Sequence, residues 1–420
     1  MKVLFIAYRF APESSTGSIR SNKFAKYLAQ SGVDVTVLTV ANPPAGSIDA
    51  QTLADVGEQV KIHRSRRLEP QQIEQFCSPL LRGKLAGLGW RLRRLLDYIW
   101  YPDVSAFWVL TALFRGWRLC RKQQFDVIYS SYAPAGAHLV ALGLKKITKT
   151  PWIADYRDLW AHEWEYQPRS ALHGKLDKYL ERKFVKAADR SLFVSAQCMN
   201  SMTQAYPEYA AKFGIIFNGY DESDRPTNSI ESQHTITFVH LGTLYSSRTI
   251  QHFIDALDQI IQQRPELKST LVIEQVGVDN LNNLNARQVK LVNMGWQSRQ
   301  VALQRLANAS VCLLPFHSAE GGSDSLPLKM YEYLAFGHQI LAAGKPGCQA
   351  EQILTQFPGC HFIADNDQQL LIDTMQACIE QCLQNPKQAY QRSGSGLNRF
   401  SRQSLAAELL GHMRSVRGKS

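Results

Sequence analysis

Twice along the chain, short apolar runs alternate with stretches of helical periodicity, and that alternation is the signature of a doubly wound parallel sheet. Val3 to Tyr8, Val33 to Thr39, Val127 to Ser130, Trp152 to Asp155 and Ser191 to Val194 are predicted strands of a first sheet. The pattern pauses at Asn218-Gly-Tyr-Asp221, a turn signal, and through the polar stretch Glu222 to His234. It restarts with predicted strands at Ile236 to Leu241, Thr270 to Gln275, Val289 to Asn293, Val311 to Leu314 and Gln339 to Ala342. A chain of 420 residues exceeds what one core supports. The expected organisation is an α/β chain of two Rossmann-like domains, residues 1–218 and 219–400, with a helical tail over 401–420. The polar helical pattern from Gln384 onward fits against either domain.

With 45% hydrophobic residues the chain should be globular and ordered. No apolar run reaches the roughly 18 residues that a membrane span needs, and the segment Met1 to Arg9 is too short and too soon charged for a signal peptide. A cytoplasmic location is expected. The eight cysteines form no CxxC pair and read as core thiols. The net charge of +11 is concentrated from Lys61 to Lys122, where 13 Lys and Arg face 4 Asp and Glu. Two stretches in that segment, Leu80 to Tyr101 and Phe107 to Lys122, mix Arg with Leu and Trp at helical spacing. This composition fits helices lying on an anionic bilayer surface, and it fits equally a pair of domain helices with solvated basic faces. Nucleic acid is disfavoured, since no recognition motif accompanies the charge.

Ligands of open α/β sheets bind beyond the carboxyl ends of the strands, which makes the loops after strands the places to search. The first loop, Arg9 to Arg20, brings Gly17 and Ser18 to the opening of a helix, where small residues let amides approach a phosphate; a plain connection has the same look. The loop from His240 to Thr249 holds Gly242 and Arg248 in the same relation to the second sheet, with a solvated helix-end Arg as the alternative. The richest stretch runs from Gly321 to Gly337: Asp324 and Glu332 flank a Gly-rich loop that turns into a helix near Leu328. Lys329 falls in the first turn, where a cation is unfavourable unless an anion compensates it, and Glu332 one turn later can accept from sugar hydroxyls. The spacing predicts recognition of a phosphate flanked by sugars, or else an amphipathic surface helix. Asp155, Arg157 and Asp158 follow a strand, where they either orient and deprotonate a hydroxyl or form a structural pair; His138 lies on the helix after another strand, where a histidine is more often structural than chemical. Asp365-Asn-Asp367 resembles a metal-binding pair but precedes a helix, where Asp is an ordinary cap, so no metal is expected.

In the order Gly242 to Arg248 and then Asp324 to Glu332, after two Rossmann-like halves, the sequence resembles retaining glycosyltransferases of the GT-B fold, especially glycosyltransferase family 4. Further matches are the loop at Gly17, Ile216 to Asp221, Val292 to Trp296 and Ala309 to Pro315. The resemblance implies two Rossmann-like domains facing each other across a cleft. It implies that Glu332 binds the ribose of a nucleoside-diphosphate sugar and that Asp324 reaches the transferred sugar. Arg248, Lys329 and the amides near Leu328 would hold the diphosphate, Trp296 would border the base, and Gly17 with Ser18 would meet the phosphates from the other domain. Asp155, His138, Arg157 and Asp158 would serve the acceptor. The implied reaction is transfer of a sugar to a hydroxyl of a glycan or lipid-linked acceptor in envelope polysaccharide assembly, at the inner membrane face and without cofactor. The alternatives are a non-catalytic GT-B-like binding subunit and a sugar-nucleotide epimerase.

Overall fold

A computed structural model describes residues 1–41, 48–67, 101–103, 105–163, 165–225, 235–244, 249–278, 284–316, 326–385, 392 and 396–418. They belong to two compact units, one of Met1–Phe217 with Arg402–Ser420 and the other of Asn218–Ser401.

The first unit is built on a parallel sheet of seven strands: β1 (Lys2–Ala7), β2 (Asp34–Val40), β3 (Lys61–Ser65), β4 (Val127–Tyr132), β5 (Trp152–Tyr156), β6 (Arg190–Phe193) and β7 (Phe213–Ile215), in the order β3-β2-β1-β4-β5-β6-β7. The second unit has six: β8 (Ile236–Leu241), β9 (Leu271–Val276), β10 (Lys290–Asn293), β11 (Val311–Pro315), β12 (Gln339–Gly344) and β13 (Cys360–Ala364), ordered β10-β9-β8-β11-β12-β13. In each sheet the strand order reverses once, between β1 and β4 and between β8 and β11, and such switch points are where doubly wound sheets open a crevice at their carboxyl edge. All ten predicted strands are present, within two residues at either end. The three that the pattern missed, β3, β7 and β13, are edge strands. An edge strand buries only part of its surface, so β3 keeps Lys61, His63 and Arg64, and its apolar signal disappears.

Because both faces of a parallel sheet are covered by helices, the central strands are apolar on both sides. In β1, Leu4 and Ile6 join a core with Trp108, Val140 and Phe184 on one face, while Val3, Phe5 and Ala7 join Phe24, Leu28 and Val35 on the other. The tail helix Arg402–Arg417 completes the second face by inserting Leu405, Leu409, Met413 and Val416, so this helix belongs to the first unit. The second unit has its own core around Phe238, Phe253, Leu257, Ile273 and Leu313.

Of the basic segment, the part from Leu80 to Trp100 lies outside the described residues. The helix Ala106–Lys122 is an integral layer of the first unit, burying Trp108, Ala112, Gly116 and Leu119. A Cβ at Gly116 would stand 2.7 Å from Leu144 Cδ1, which shows how closely this helix meets the helix Gly136–Thr148. Its opposite face leaves Leu110 68% and Phe114 58% exposed, beside exposed Arg115, Arg118, Arg121 and Lys122. Among the described residues, no helix is long and apolar enough to cross a membrane.

Candidate active site

The carboxyl edge of the second sheet is shaped at its switch point. β8 pairs with β11 only through Phe238 and Val239, whereas its pairing with β9 runs on to Leu241 and Val276. The backbone of Leu241 is instead satisfied by the helix that follows β11, Leu328–Phe336. Its amide donates to Tyr333 Oη at 2.8 Å, and its carbonyl accepts from Lys329 Nζ at 2.9 Å. Lys329 and Tyr333 are four residues apart, hence on one face.

Pro327 stands in the N-cap position with extended backbone, one residue earlier than a first-turn proline, and its own side chain makes no cap. Gly337, at φ 79°, stops the helix at the other end. There the buried Arg392 donates to the carbonyls of Leu334 at 3.1 Å and His338 at 2.7 Å, placing a cation against the negative end of the dipole. At the amino end the Lys329 ammonium is itself a cation beside positive amides. Its Nζ lies 3.5 Å from where a Cβ of Gly242 would stand, at the mouth of the loop after β8. Gly242 has φ 116°, and Gly277, which ends β9, has φ 140°; a Cβ on Gly277 would meet the Gly242 carbonyl oxygen at 2.3 Å. Glycine is therefore required for the two strand ends to meet.

One turn after Lys329, Glu332 is 8% exposed and its Oε1 accepts from Arg299 Nη2 at 2.7 Å. The same nitrogen donates to Asp224 Oδ2 at 2.6 Å. Burial opposes the guanidinium charge, but the two carboxylates outweigh it and raise the Arg299 pKa above its ordinary value. Trp296, 65% exposed, follows Gly295, whose carbonyl accepts from the Gly277 amide at 2.8 Å. Leu328, Lys329, Glu332, Gly242 and Trp296 thus all lie in the second unit, at or beyond the carboxyl ends of its strands. Arg248 and Asp324 lie outside the described residues. Sequence reasoning passed over His240, Gln275 and Arg299; a histidine and an amide near the ends of two adjacent strands were the available signal.

In the first unit the expected residues divide. Gly17 and Arg157 are packed together, a Cβ on Gly17 standing 2.1 Å from Arg157 Nη1. Arg157 pairs with the exposed Asp158 at 3.2 Å. Ser18 is buried, and its hydroxyl donates to the carbonyls of Glu13 and Ser15, which makes it a brace for the loop. The buried Glu13 strengthens that brace, its Oε1 accepting from Arg9 at 2.6 Å and from Ser15 at 2.7 Å.

The role expected of Asp155 meets a carboxylate that is fully buried and filled. Its Oδ1 accepts from Arg20 Nη2 at 2.8 Å, and its Oδ2 accepts from Arg20 Nε at 3.0 Å and Tyr129 Oη at 2.7 Å. Arg20 also donates to the carbonyls of Ile216 and Phe217, so the group ties the first helix to β5 and to the end of the unit. His138 is likewise a core residue, fully buried among Tyr132, Trp152, Tyr156 and Phe184, with Nδ1 2.8 Å from Ser130 Oγ. Burial pushes its pKa down to about 3, which keeps it neutral. Asp367 is a helix cap, its Oδ1 accepting from the Leu370 amide at 3.0 Å.

Two parallel α/β units of this order define the GT-B architecture. A glycosyltransferase from Rickettsia africae has the same fold, with a TM-score of 0.65 at 12% identity over 100% of this chain and 99% of that one. The Anabaena protein HepE in complex with UDP and glucose matches with a TM-score of 0.60 at 15% identity, over 99% and 100% of the two chains. The lipopolysaccharide outer core galactosyltransferase WaaB in its apo form matches with a TM-score of 0.55 at 13% identity, over 99% of each chain. Comparison with curated protein sequences found no match. Residues 17–216 match the glycosyl transferase 4-like domain family. The protein therefore carries that domain and is a glycosyltransferase of the GT-B fold.

Proposed function

We propose that the protein transfers a sugar, with retention of configuration, from a nucleoside-diphosphate sugar held by the second unit to a hydroxyl of a glycan or lipid-linked acceptor taken by the first. The observation that carries the donor half is Lys329. Its ammonium is fixed at the amino end of the helix that opens after Pro327, so that a cation and the positive end of a helix dipole converge on one place, an arrangement suited to a multiply charged anion. The diphosphate accepts from Lys329 and from the amides at Leu328 and Lys329, with Arg248 adding charge. Glu332, held by Arg299, accepts from the ribose hydroxyls, Asp324 reaches the sugar, and Trp296 borders the base. That HepE is found with UDP and glucose supports a donor of this class.

Charge develops on the leaving diphosphate as the anomeric bond breaks, and fixed cations around it lower that barrier without reorganising. The acceptor attacks from the face the leaving group vacates, and a diphosphate oxygen takes its proton. No metal or organic cofactor enters this scheme. Asp155 takes no part in it, since its oxygens are filled; Arg157 and Asp158, beside Gly17, are the acceptor-side groups. The exposed face of Leu110 and Phe114, set among arginines, supports an acceptor presented at an anionic membrane surface, in envelope polysaccharide assembly on the cytoplasmic side.

Incubation with a panel of nucleotide sugars tests the reading. Slow release of nucleoside diphosphate, and faster release with an acceptor glycan, is expected. An altered sugar without release would instead indicate an epimerase, and neither change a binding subunit.

A further inference from the structure

Lys329 does not hold its place alone. Besides the Leu241 carbonyl, its Nζ lies 2.6 Å from His240 Nε2. His240 Nδ1 is 2.5 Å from Gln275 Oε1, and Gln275 Nε2 is 2.8 Å from the Gly242 carbonyl oxygen. His240 and Gln275 are both fully buried. The proton positions along this chain follow from its far end. A carbonyl oxygen only accepts, so the Gln275 group facing Gly242 is the amide nitrogen, and Oε1 is the group that faces His240. Nδ1 must then carry the ring proton, and Nε2 is left with a lone pair directed at Lys329. The chain reads Lys329 to His240 to Gln275 to Gly242, each member donating to the next.

We propose that His240 and Gln275 are positioning residues for the diphosphate, acting through Lys329. The imidazole is kept neutral and in one tautomer, so that it accepts from the ammonium rather than repelling it. The ammonium is held from within by His240 and the Leu241 carbonyl, which fixes the position of Nζ beside Gly242. This inference rests on the reading of Lys329 as a diphosphate ligand. It adds that the geometry of that contact is built into β8 and its neighbour β9 as well as into the helix that carries the lysine.

The test is calorimetric titration of the full chain with UDP, GDP, ADP, CDP and dTDP, and of the tightest binder's parent nucleoside as a control. Lys329→Met should lose about tenfold or more in diphosphate affinity, the size of a charge-assisted contact. His240→Phe should lose a similar factor, and His240→Gln, which keeps an acceptor near the Nε2 position, should recover most of it. Gln275→Glu is the sharper variant. A carboxylate facing Nδ1 favours the doubly protonated ring, whose Nε2–H then opposes the lysine, so this nearly isosteric change should also weaken the diphosphate. Affinity for the nucleoside should stay unchanged in all four, whereas a collapsed site would lose both ligands. Diphosphate binding unaffected by Lys329→Met, or absent for all five nucleotides, would overturn the underlying reading. A large loss in Lys329→Met with none in His240→Phe and Gln275→Glu would overturn the relay alone.

Discussion

Arg299 donates to Glu332 at 2.7 Å and fixes the carboxylate expected to meet the ribose. The pair is partly buried, with 24% and 9% of the two side chains exposed, and Asp224 shares the guanidinium. Glu332 sits on the helix after β11, whereas Arg299 opens the helix after β10. Arg299→Met should leave Glu332 without its orienting donor. A rise of about tenfold in the KM for the nucleotide sugar, with a much smaller change in kcat, is expected from the loss of one charge-assisted hydrogen bond. Initial-rate measurements of nucleoside diphosphate release will show it; an unchanged KM would separate Arg299 from donor binding.

Gly277 is the tightest backbone approach at the carboxyl edge of the second sheet. Gly277→Ala must place a Cβ against the Gly242 carbonyl and hold a left-handed φ, a strain of about 1–3 kcal/mol. A lower melting temperature is expected together with weaker donor binding, because the displaced carbonyl is the last acceptor of the chain that begins at Lys329. Gly347→Ala, also at positive φ but with open space around it, is the control and should affect stability alone.

The buried His138 makes stability depend on pH. Its folded pKa is lowered from 6.5 to about 3 by burial, so the unfolded chain binds the proton first. Above about pH 6.5 the residue is neutral in both states and costs nothing. Between that value and about pH 3 the folded form grows less stable as pH falls, at up to roughly 1.4 kcal/mol per pH unit. Replacement by phenylalanine should flatten this acid limb of urea midpoints between pH 7 and pH 4.5. A variant whose midpoints fall as steeply as the wild type would contradict the assignment.

Exposed Leu110 and Phe114, with Arg115, Arg118 and Arg121, predict salt-sensitive adsorption to anionic vesicles. Sedimentation with vesicles of phosphatidylglycerol at low salt should pull down the wild type, and Phe114→Ser with Arg118→Ser should remain in the supernatant. Absence of wild-type binding at low salt would remove the membrane element of the proposed function.

The doubly wound pattern was readable because central parallel strands are apolar on both faces, and β1, β4 and β8 left continuous runs in the sequence. Edge strands β3, β7 and β13 left none. The tail was recognisable as a helix, but its partner was not, since Leu405, Leu409 and Met413 state a face without stating what covers it. At the site, Lys329 and Glu332 stood out because a cation and a carboxylate at a helix start are locally costly. His240 and Gln275 did not, because their meaning is a pairing between adjacent strands. Asp155 looked chemical for the same reason that it is buried: a carboxylate at a strand end serves a ligand or an arginine equally well, and Arg20 lies 135 residues earlier in the chain.

A crystal structure of the protein soaked with UDP tests the central claim most directly. Phosphate oxygens should lie about 3 Å from Lys329 Nζ and from the amides at Leu328 and Lys329, with the ribose hydroxyls on Glu332. A nucleotide bound elsewhere, with Lys329 still turned only to His240 and Leu241, would contradict it.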